Sequence, residues 1–428
     1  MNKTDRGTTK ATVIAIGDEL LAGFVVNNNA AYISAELARV GIKTARQLVV
    51  GDDAGEITAA VETARSVGAL VVCTGGLGPT PDDVTLDAVA KYFGRELVLH
   101  RPTLEEIERH FARRKVPMPE VNVGQAMVPA SAKVLANPIG TAPGVILEDG
   151  GFVCFLLPGV PDEMEVILAR GILPFLVERG LTGEGVFTRT LRITGISESG
   201  LYELVSDIPI PGDIALGYYP HAGEILLRFS GRSTDEVTFN ELTEHIVAEF
   251  RGKLEHLLYG EGDDPIGRVL GELLRGNGKT LAAAESCTGG LLGKVLTDVP
   301  GSSDYFLGSA VTYSNEAKVE VLGVKPETLE TYGAVSEETA AEMAEGARRV
   351  FGADYAVAIT GVAGPGGGTP AKPVGTVCFG LCRSAGTLTF TDSYLGDRRR
   401  IRRRATVRAM GLVRLDLLGV LVGDSKEG

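Results

Sequence analysis

The sequence predicts an α/β protein built from several domains, and three observations support this fold class. The chain has 428 residues, which is too long for a single hydrophobic core. It contains 56 glycines, no tryptophan and few other aromatic residues, a composition that suits loops whose backbone lies close to ligands. Buried strand patterns alternate with amphipathic helix patterns, as in parallel sheets with helices on both faces.

The first half of the chain shows this alternation most clearly. The predicted strands are residues 11–17, 44–53, 68–76 and 152–159, and the predicted helices are residues 28–41 and 54–67 and those that begin near 84 and 161. Ligands of such sheets bind at the carboxyl ends of the strands. Two strands end in "GDELLAG" and "TGGLGPTPDDVT", so we expect a ligand site there.

The second half divides into two parts. Residues 188–195 and 224–231 alternate like half-exposed strands, and residues 197–205 and 236–254 have helical patterns, which together predict a small α+β module. After 266, strand patterns at "KTLAAAES", "YFLGSAVTYSN", "ADYAVAITG" and "VGTVCFGLC" return to the α/β type. The predicted domains are residues 1–170, 171–258 and 266–428, with a linker at 259–265.

Charge and cysteine content exclude several classes of protein. The formal charge of −13 argues against a broad cationic face for nucleic acid. The five cysteines are scattered and odd in number, which favours reduced thiols in the cytoplasm. The first ten residues are polar, and no stretch reaches the roughly 18 apolar residues of a membrane helix. We therefore expect a cytoplasmic protein without a membrane span.

Residues 281–292, "LAAAESCTGGLL", place two candidate nucleophiles, Ser286 and Cys287, where a strand gives way to a helix. Backbone N–H groups of such a turn can stabilise an oxyanion. No histidine lies after residue 256, so the base must be a lysine, a carboxylate or a tyrosine, and "TYSNEAK" supplies Tyr313 and Lys318. In the alternative interpretation Ser286 or Thr288 caps the helix, Cys287 packs, and the lysine is solvated.

Two further segments of this domain carry groups that suit an anionic substrate. The glycines of residues 360–368, "TGVAGPGGG", allow backbone N–H groups to converge on a ligand, although a flexible hairpin tip is the alternative. Arg398 and Arg402 are spaced for one helix face and can bind a phosphate. Nucleic-acid binding is the alternative for this arginine run, and the net charge disfavours it.

The motifs "AAESCTGG", "VTYSNEAK", "GAVSEETA", "AITGVAGPGGG" and "GDRRRIR" occur in the order and spacing of the CinA C-terminal domain, which the chain resembles over nearly all of 266–428. That family includes nicotinamide mononucleotide deamidases. The resemblance implies that Ser286 is the nucleophile, assisted by Tyr313 and Lys318, and that no cofactor is needed. It further implies a substrate site formed by Thr288, Gly289, Thr360, Gly361, Gly364, Arg398 and Arg402.

The stretch "TGGLGPTPDDVT" presents glycines and then Asp82 and Asp83 before a helix. The glycine N–H groups can hold a phosphate, whereas carboxylates repel one unless a cation such as Mg²⁺ lies between them. Acids at two other strand ends, Asp18–Glu19 and Asp52–Asp53, are expected on the same edge. The alternative is that these acids are helix caps and solvated loop residues.

This half is similar to the molybdopterin-binding domain of MoaB, MogA and gephyrin, a three-layer fold, in the version found in CinA. The resemblance covers roughly 11–170 and implies metal-dependent hydrolysis of ADP-ribose to AMP and ribose 5-phosphate. The residues carried over are Asn27, Gly75, Gly76, Gly78 and Thr85 for the substrate and Glu19, Asp82 and Asp83 for the metal.

Taken together, the two resemblances imply a bifunctional nucleotide hydrolase that acts on nicotinamide mononucleotide and ADP-ribose. We also expect a homodimer, with residues 171–258 as a spacer or dimerisation element, and the charge and apolar pattern predict no nucleic-acid or membrane partner. Two other classes stay open. One is an enzyme that handles molybdopterin, and the other is a non-enzymatic partner protein of competence or DNA repair.

Overall fold

The computed structural model describes residues 9–221 and 223–421. The ends of the first and last predicted domains, residues 1–8 and 422–428, lie outside the described residues. The strands are β1 (Lys10–Ile16), β2 (Lys43–Val50), β3 (Leu70–Thr74), β4 (Leu97–Leu99), β5 (Met127–Pro129), β6 (Lys133–Leu135), β7 (Gly144–Asp149), β8 (Phe152–Leu157), β9 (Gly185–Thr194), β10 (Ala215–His221), β11 (Glu224–Ser233), β12 (Leu258–Glu261), β13 (Leu281–Glu285), β14 (Phe306–Val311), β15 (Tyr355–Gly361), β16 (Thr376–Arg383) and β17 (Gly386–Ser393).

The α-helices are α1 (Asp18–Leu21), α2 (Asn28–Arg39), α3 (Ala54–Val67), α4 (Thr85–Tyr92), α5 (Arg101–Arg113), α6 (Pro161–Ile167), α7 (Leu173–Glu178), α8 (Glu198–Val205), α9 (Glu236–Leu254), α10 (Ile266–Gly276), α11 (Leu291–Thr297), α12 (Asn315–Leu322), α13 (Pro326–Tyr332), α14 (Glu337–Phe351) and α15 (Arg398–Leu417). Within the described ranges, no helix combines the length and the apolar character that crossing a bilayer requires.

The chain forms two compact units, of which the first comprises Met1–Phe187 and Gly231–Phe239. Its main sheet has the strand order β2-β1-β3-β8-β7-β6. The first four strands are parallel to one another, whereas β7 pairs antiparallel with β8 and β6 pairs antiparallel with β7. The prediction of a wholly parallel sheet is therefore wrong at this edge. A tight turn with left-handed Gly150 and Gly151 joins β7 to β8 and reverses the chain between these antiparallel strands.

Two apolar clusters cover the two faces of this sheet. On one face Ile33 of α2 and Phe175 of α7 pack with Phe155 of β8. On the other face Ile57 of α3 packs with Val71 of β3. Alternate residues of the central strands belong to opposite clusters, as the period of two along a strand requires. The unit is a helix–sheet–helix sandwich, which confirms the three-layer prediction.

The second unit comprises Thr188–Ser230 and Asn240–Gly428. Its larger sheet has the order β14-β13-β15-β16-β17, with β14, β13 and β15 parallel and the last two strands antiparallel. All five residues of the central strand β13 are buried. Helices α10 and α15 contribute to the core on one face, and α12 and α14 contribute to the core on the other.

A smaller sheet has the order β10-β11-β9-β12. Its last strand, β12, occupies the first residues of the predicted linker and pairs antiparallel with β9. Tyr259 on this strand is buried, and its hydroxyl contacts the carboxylate of Glu224. Residues 259–261 are thus part of a sheet, and only residues 262–265 connect it to α10. The polar and glycine-rich composition that predicted a linker hid this short strand.

Candidate active site

The strongest candidate site lies at the carboxyl end of β13, between its two parallel neighbours. Ser286 follows the strand directly, and its N–H donates to the Ile359 carbonyl of β15 at 2.9 Å. On the other side, the Thr312 N–H donates to the Glu285 carbonyl at 2.9 Å. The strand pairing therefore fixes the backbone on both sides of the half-buried Ser286. We call residues 286–290, which join β13 to α11, the nucleophile turn.

Lys318 of α12 reaches this serine directly. Its Nζ lies 3.2 Å from Ser286 Oγ, and the lysine side chain is only 1% exposed. The interpretation of Lys318 as a solvated helix residue is therefore wrong. The same nitrogen lies 3.0 Å from the carbonyl of Thr312, 3.3 Å from that of Tyr313 and 3.4 Å from that of Ser314. No carboxylate among the described residues forms an ion pair with it.

The surroundings of Lys318 suit an amine that exchanges a proton with the serine. Burial lowers the pKa of Lys318 from its ordinary value, while Cys287 and Glu316 act weakly in the opposite direction. An ammonium has three protons, which cannot serve four oxygen neighbours equally. A neutral amine can donate two protons to carbonyls and accept the Ser286 hydroxyl proton with its lone pair. The carbonyls then stabilise the ammonium once it forms.

Cys287 has the opposite character. Its side chain is 5% exposed, and burial raises the pKa of the thiol to about 11. A thiol in this state is protonated near neutral pH and is a poor nucleophile. The capping alternative also fails, because α11 begins at Leu291 after Gly290, and neither the Ser286 nor the Thr288 side chain accepts a hydrogen bond from its first turn. The geometry favours Ser286 over Cys287 as the attacking group.

The nucleophile turn offers only some of its N–H groups to a ligand. The N–H of Ser286 is bonded within the sheet, and that of Gly289 donates to the Ser286 carbonyl at 3.1 Å. The N–H groups of Cys287, Thr288 and Gly290 have no acceptor in the described part of the chain. These three groups are the available donors for a developing oxyanion.

Arg402 anchors the same turn. Its Nε lies 3.2 Å from the Thr288 carbonyl, and its Nη2 contacts the same oxygen. The Thr288 side chain is fully buried, and its hydroxyl has no partner within residues 9–221 and 223–421. Gly289 is exposed and adopts a left-handed conformation beside Arg402. Two of the Arg402 nitrogens, which were predicted to bind a phosphate, thus bind the backbone of the nucleophile turn.

Arg398 lies one turn earlier on α15 and is more exposed. One of its terminal nitrogens donates to the Gly364 carbonyl at 2.9 Å, and the other donates to the Tyr313 hydroxyl at 2.8 Å. The side chain of Tyr313 is 59% exposed. The phenol therefore contacts Arg398 rather than Lys318, and only the tyrosine backbone carbonyl touches the lysine. Arg398 ties together two loops that border Ser286.

The predicted glycine segment divides into two parts. Thr360 and Gly361 are the last residues of β15. The Thr360 hydroxyl donates to the Ala334 carbonyl at 2.6 Å, so this buried side chain holds neighbouring backbone. Gly364 lies in the following loop with its carbonyl on Arg398. The loop is thus fixed at one point next to the site, which differs from a free hairpin tip.

The sequence analysis missed one residue next to the nucleophile. Glu285 is the last residue of β13 and is completely buried, with hydrogen bonds from the backbone of α11 and from Ser309. A charged residue at the end of an otherwise apolar strand run was the signal that could have identified it.

The second candidate site lies in the first unit at residues 75–84, the glycine turn. Gly75 has φ of 111°, and a side chain there would overlap the Ile16 carbonyl. Gly76 packs against Thr85, whose buried hydroxyl has no partner among the described residues. These contacts explain the two adjacent glycines by close backbone approach.

Asp83 closes the glycine turn. Its Oδ1 accepts from the Gly78 N–H at 2.7 Å, and its Oδ2 accepts from the Thr80 N–H at 2.9 Å and the Thr80 hydroxyl at 2.5 Å. Both carboxylate oxygens are therefore already used within the loop. A cavity of about 180 Å³ opens beside this turn. Its lining includes Leu77, Leu86, Val121, Gln125 and Val145.

The remaining acids meet at one edge of the sheet, as the strand ends predict. The Asp18 N–H donates to the Asp52 carboxylate at 3.0 Å. Burial raises the pKa of Asp52, and the charges of Asp18, Glu19 and Asp82 raise it further. Asp53, in contrast, caps α3 through the Gly55 and Glu56 N–H groups, as the capping alternative expected.

The described residues contain no group of three histidine, cysteine or acidic side chains close enough to share one metal ion. The predicted set Glu19, Asp82 and Asp83 is therefore not assembled as a ready metal cage. Asn27 caps α2 by accepting from the Ala30 N–H. Asn29 was not predicted, and its side chain donates to Thr74 Oγ1 at 3.1 Å and to the Gly159 carbonyl at 2.8 Å.

Three family models match the chain in succession. Residues 12–178 match a probable molybdopterin binding domain, residues 188–260 match the damage-inducible protein CinA KH domain, and residues 263–417 match the CinA C-terminal domain. The first match agrees with the three-layer unit, and the last one contains all the residues around Ser286.

Individual relatives match over nearly the whole chain. A CinA-like protein of Kosmotoga olearia is 43% identical over 410 residues, which cover 96% of this chain and 99% of that protein. The crystal structure of competence/damage inducible protein CihA from Agrobacterium tumefaciens is 41% identical, with a TM-score of 0.35, and covers 36% of this chain and 93% of its own. A CinA structure from Thermoplasma acidophilum, described as of unknown function, is 38% identical with a TM-score of 0.36 over 41% of this chain and 98% of its own. By its near full-length relatives and its three domain matches, the chain belongs to the CinA family.

Proposed function

We propose that the second unit deamidates nicotinamide mononucleotide to nicotinate mononucleotide and ammonia. The observation that carries this proposal is the 3.2 Å contact between the buried Lys318 Nζ and Ser286 Oγ. A serine beside an amine of lowered pKa is an arrangement that cleaves amides by covalent catalysis. The family resemblance supplies the substrate.

The reaction begins when Ser286 Oγ attacks the carboxamide carbon and its proton passes to the neutral Lys318 Nζ. The electron pair of the carbonyl moves to its oxygen, and the oxyanion accepts hydrogen bonds from the free N–H groups of the nucleophile turn. The carbon–nitrogen bond then breaks, and the Lys318 ammonium returns its proton to the leaving ammonia. Water then attacks the acyl carbon while Lys318 takes one of its protons. The ester bond to Ser286 Oγ breaks, and the Lys318 ammonium returns the proton to that oxygen, which restores the serine and releases the acid.

Two features of the site favour the transition state over the substrate. The amide is neutral, so charge develops only during attack, where fixed donors have their greatest effect. The carbonyls of Thr312, Tyr313 and Ser314 face the lysine and favour its protonated form as that charge appears. Arg398, exposed at the edge of the site, is the better placed cation for the substrate phosphate, because Arg402 is held by the Thr288 carbonyl.

For the first unit we propose hydrolysis of the pyrophosphate of ADP-ribose to AMP and ribose 5-phosphate. The support is the group of like charges around Asp52, which a cation would relieve. Mg²⁺ is commonly held by one or two carboxylates together with substrate phosphates and water, so the acids of this edge fit it without a three-acid cage. Asp18 and Asp52 would hold the ion, while Asp83 orders the glycine turn that faces the phosphates.

The decisive experiment measures ammonia release from nicotinamide mononucleotide beside AMP release from ADP-ribose, each with Mg²⁺ and with EDTA. We expect EDTA to stop AMP release and to leave ammonia release unchanged, since the reaction at Ser286 needs only groups of the chain. Absence of ammonia release would contradict the first proposal. AMP release that persists in EDTA would contradict the metal-dependent one.

A second candidate for the first unit is the handling of molybdopterin, which the name of its matching family model favours. Binding of a pterin phosphate to the glycine turn, without turnover of ADP-ribose, would support it. The middle match carries the name of a KH domain, a module that clamps nucleic acid with a Gly-x-x-Gly loop. Residues 188–260 contain no glycine pair at that spacing, and nucleic-acid binding is not proposed.

A further inference from the structure

The buried carboxylate of Glu285 forms three hydrogen bonds that join separate elements of the site. Oε2 accepts from the Leu292 N–H at 3.1 Å, and Oε1 accepts from the Gly293 N–H at 2.9 Å and from the Ser309 hydroxyl at 2.8 Å. The first two donors belong to the opening turn of α11, and Ser309 belongs to β14. Glu285 is 0% exposed, and its carboxylate links β13, which carries it, to α11 and β14.

We propose that Glu285 is the positioning residue of the nucleophile turn, and that it sets the distance between Ser286 Oγ and Lys318 Nζ. The proposal rests on the proposed deamidase function for its substrate, but its physical basis is independent of that substrate. Glu285 forms no hydrogen bond or ion pair with Lys318, so it acts through the backbone and not as a proton carrier.

The nucleophile turn is short, so the positions of its two ends determine its conformation. Five residues, 286–290, connect the last residue of β13 to the first residue of α11. One end is fixed by strand pairing, and the other is fixed because the side chain of Glu285 holds the N–H groups of Leu292 and Gly293. A loop of this length with both ends held has little freedom left, so the serine rotamer and the three free N–H groups are held in place.

Local packing makes this contact possible. Gly293 presents no side chain, and a Cβ there would lie 3.2 Å from the Ser309 Cβ and 3.5 Å from Glu285 Oε1. The helix can therefore approach the carboxylate closely. Burying a carboxylate is costly unless its oxygens accept several hydrogen bonds. Because the acid is placed here despite that cost, a role specific to this turn explains it better than general packing does.

The test replaces Glu285 by glutamine, which has the same shape but presents an NH₂ group to at least one backbone N–H. The matched control is Glu342→Gln. Glu342 lies on α14 and also receives hydrogen bonds from the residues at the start of a helix, the Lys325 N–H and the Thr328 hydroxyl, both at 2.8 Å, away from Ser286. Both variants lose hydrogen bonds between a carboxylate and the start of a helix. A difference between their kcat values therefore reports the effect of the position next to the nucleophile.

We expect Glu285→Gln to lower kcat for ammonia release by about 10- to 100-fold while KM changes by less than about twofold. Glu342→Gln should leave both constants near wild type. The pH at which kcat reaches half of its maximum should be the same in all three proteins, because Glu285 does not act on the charge of Lys318. Equal losses in both glutamine variants, or a kcat of Glu285→Gln equal to wild type, would overturn the proposal.

A second readout is independent of the substrate. The rate at which a fluorophosphonate labels Ser286 reports the reactivity of the nucleophile itself. We expect labelling of Glu285→Gln to be slower than that of wild type and of Glu342→Gln by the same order as the loss in kcat. If the wild type is labelled but releases no ammonia, the deamidase function fails while the positioning role stands on the labelling rates. Equal labelling of all three proteins, or none of the wild type, would overturn the positioning role.

Discussion

The nucleophile turn and the glycine turn look alike in sequence but use their polar groups differently. Each follows a buried strand of a parallel pair, contains glycines and leads into a helix. In the glycine turn, both carboxylate oxygens of Asp83 accept hydrogen bonds from residues of the same loop. In the nucleophile turn, the stabilising carboxylate lies outside the turn, on Glu285, so the Ser286 hydroxyl and three N–H groups of the turn stay available.

This difference teaches that a glycine-rich strand end does not by itself reveal its chemistry. What separates the two turns is a buried amine that reaches the turn from another helix. Lys318 lies 32 residues after Ser286 and reaches it because the parallel pairing of β13 and β14 brings α12 to the same sheet edge. Removing the groups that distinguish the turns should therefore affect catalysis at the nucleophile turn and local stability at the glycine turn.

The largest effect is expected from Lys318→Met. Methionine has a similar length without the amine, so we expect kcat for ammonia release to fall by about 10²- to 10⁴-fold, the usual contribution of a general base. Folding should persist with reduced stability, because the variant loses the hydrogen bonds of the amine to three carbonyls but no ion pair. Lys294→Met, which removes an exposed lysine on α11, is the control and should keep full activity. Substantial turnover by Lys318→Met would contradict the role of Lys318 as the base and remove the chemical difference between the two turns.

Arg398 and Arg402 should separate substrate binding from turn geometry. Arg398→Ala should raise KM for nicotinamide mononucleotide by roughly 10- to 150-fold, about 1.5–3 kcal/mol, with a smaller effect on the dephosphorylated riboside. Arg402→Ala should lower kcat/KM for both substrates alike, because it loosens the Thr288 carbonyl. Steady-state kinetics on the two substrates checks this. A phosphate-specific defect in Arg402→Ala alone would reverse the two assignments.

The pH dependence of deamidation should follow the neutral fraction of Lys318. Burial lowers the pKa of this amine, so kcat should rise with pH by about tenfold per unit and level off below the ordinary lysine value of 10.5. The sign follows because only the neutral amine accepts the serine proton. Rates from pH 5 to 10 at saturating substrate measure it, with the folded state checked at each end. A rate that falls across this range would contradict the role of Lys318 as base.

The smallest effect is expected at the glycine turn. Asp83→Asn keeps the shape but can accept at only one oxygen, so the free energy of local opening should fall by about 1–2 kcal/mol. Hydrogen exchange of the Gly78 and Thr80 amides measures this change. Asp53→Asn is the control, since asparagine caps a helix about as well as aspartate does. Unchanged exchange in Asp83→Asn would show that the carboxylate is free to bind a ligand.

Much of the fold could be predicted from the sequence. The patterns of α3 and α9 gave the helix bounds to the residue, because their apolar periodicity is long and their ends are marked. The strands β4, β5, β6, β7, β10, β12 and β17 were not predicted. Five of them have only three to six residues, which carry too little periodicity to indicate a strand.

The candidate site could be predicted in its members but not in their contacts. Ser286 and Lys318 carry a motif, and the fold brings them together. No sequence pattern tells which acceptor a guanidinium or which donor a carboxylate selects, so the bonds of Arg402 and Asp83 within their own turns were not foreseen. Glu285 carries the same lesson, since its role depends on a helix start that approaches only after folding.

The central claim is that Ser286 attacks the amide, and ammonia release by Ser286→Ala and Cys287→Ala tests it most directly. We predict that Ser286→Ala loses at least about 10³-fold in kcat, whereas Cys287→Ala, which removes a buried and protonated thiol, stays near wild type. AMP release from ADP-ribose, assigned to the first unit, should be the same in both variants. Retained ammonia release in Ser286→Ala together with its loss in Cys287→Ala would contradict the account.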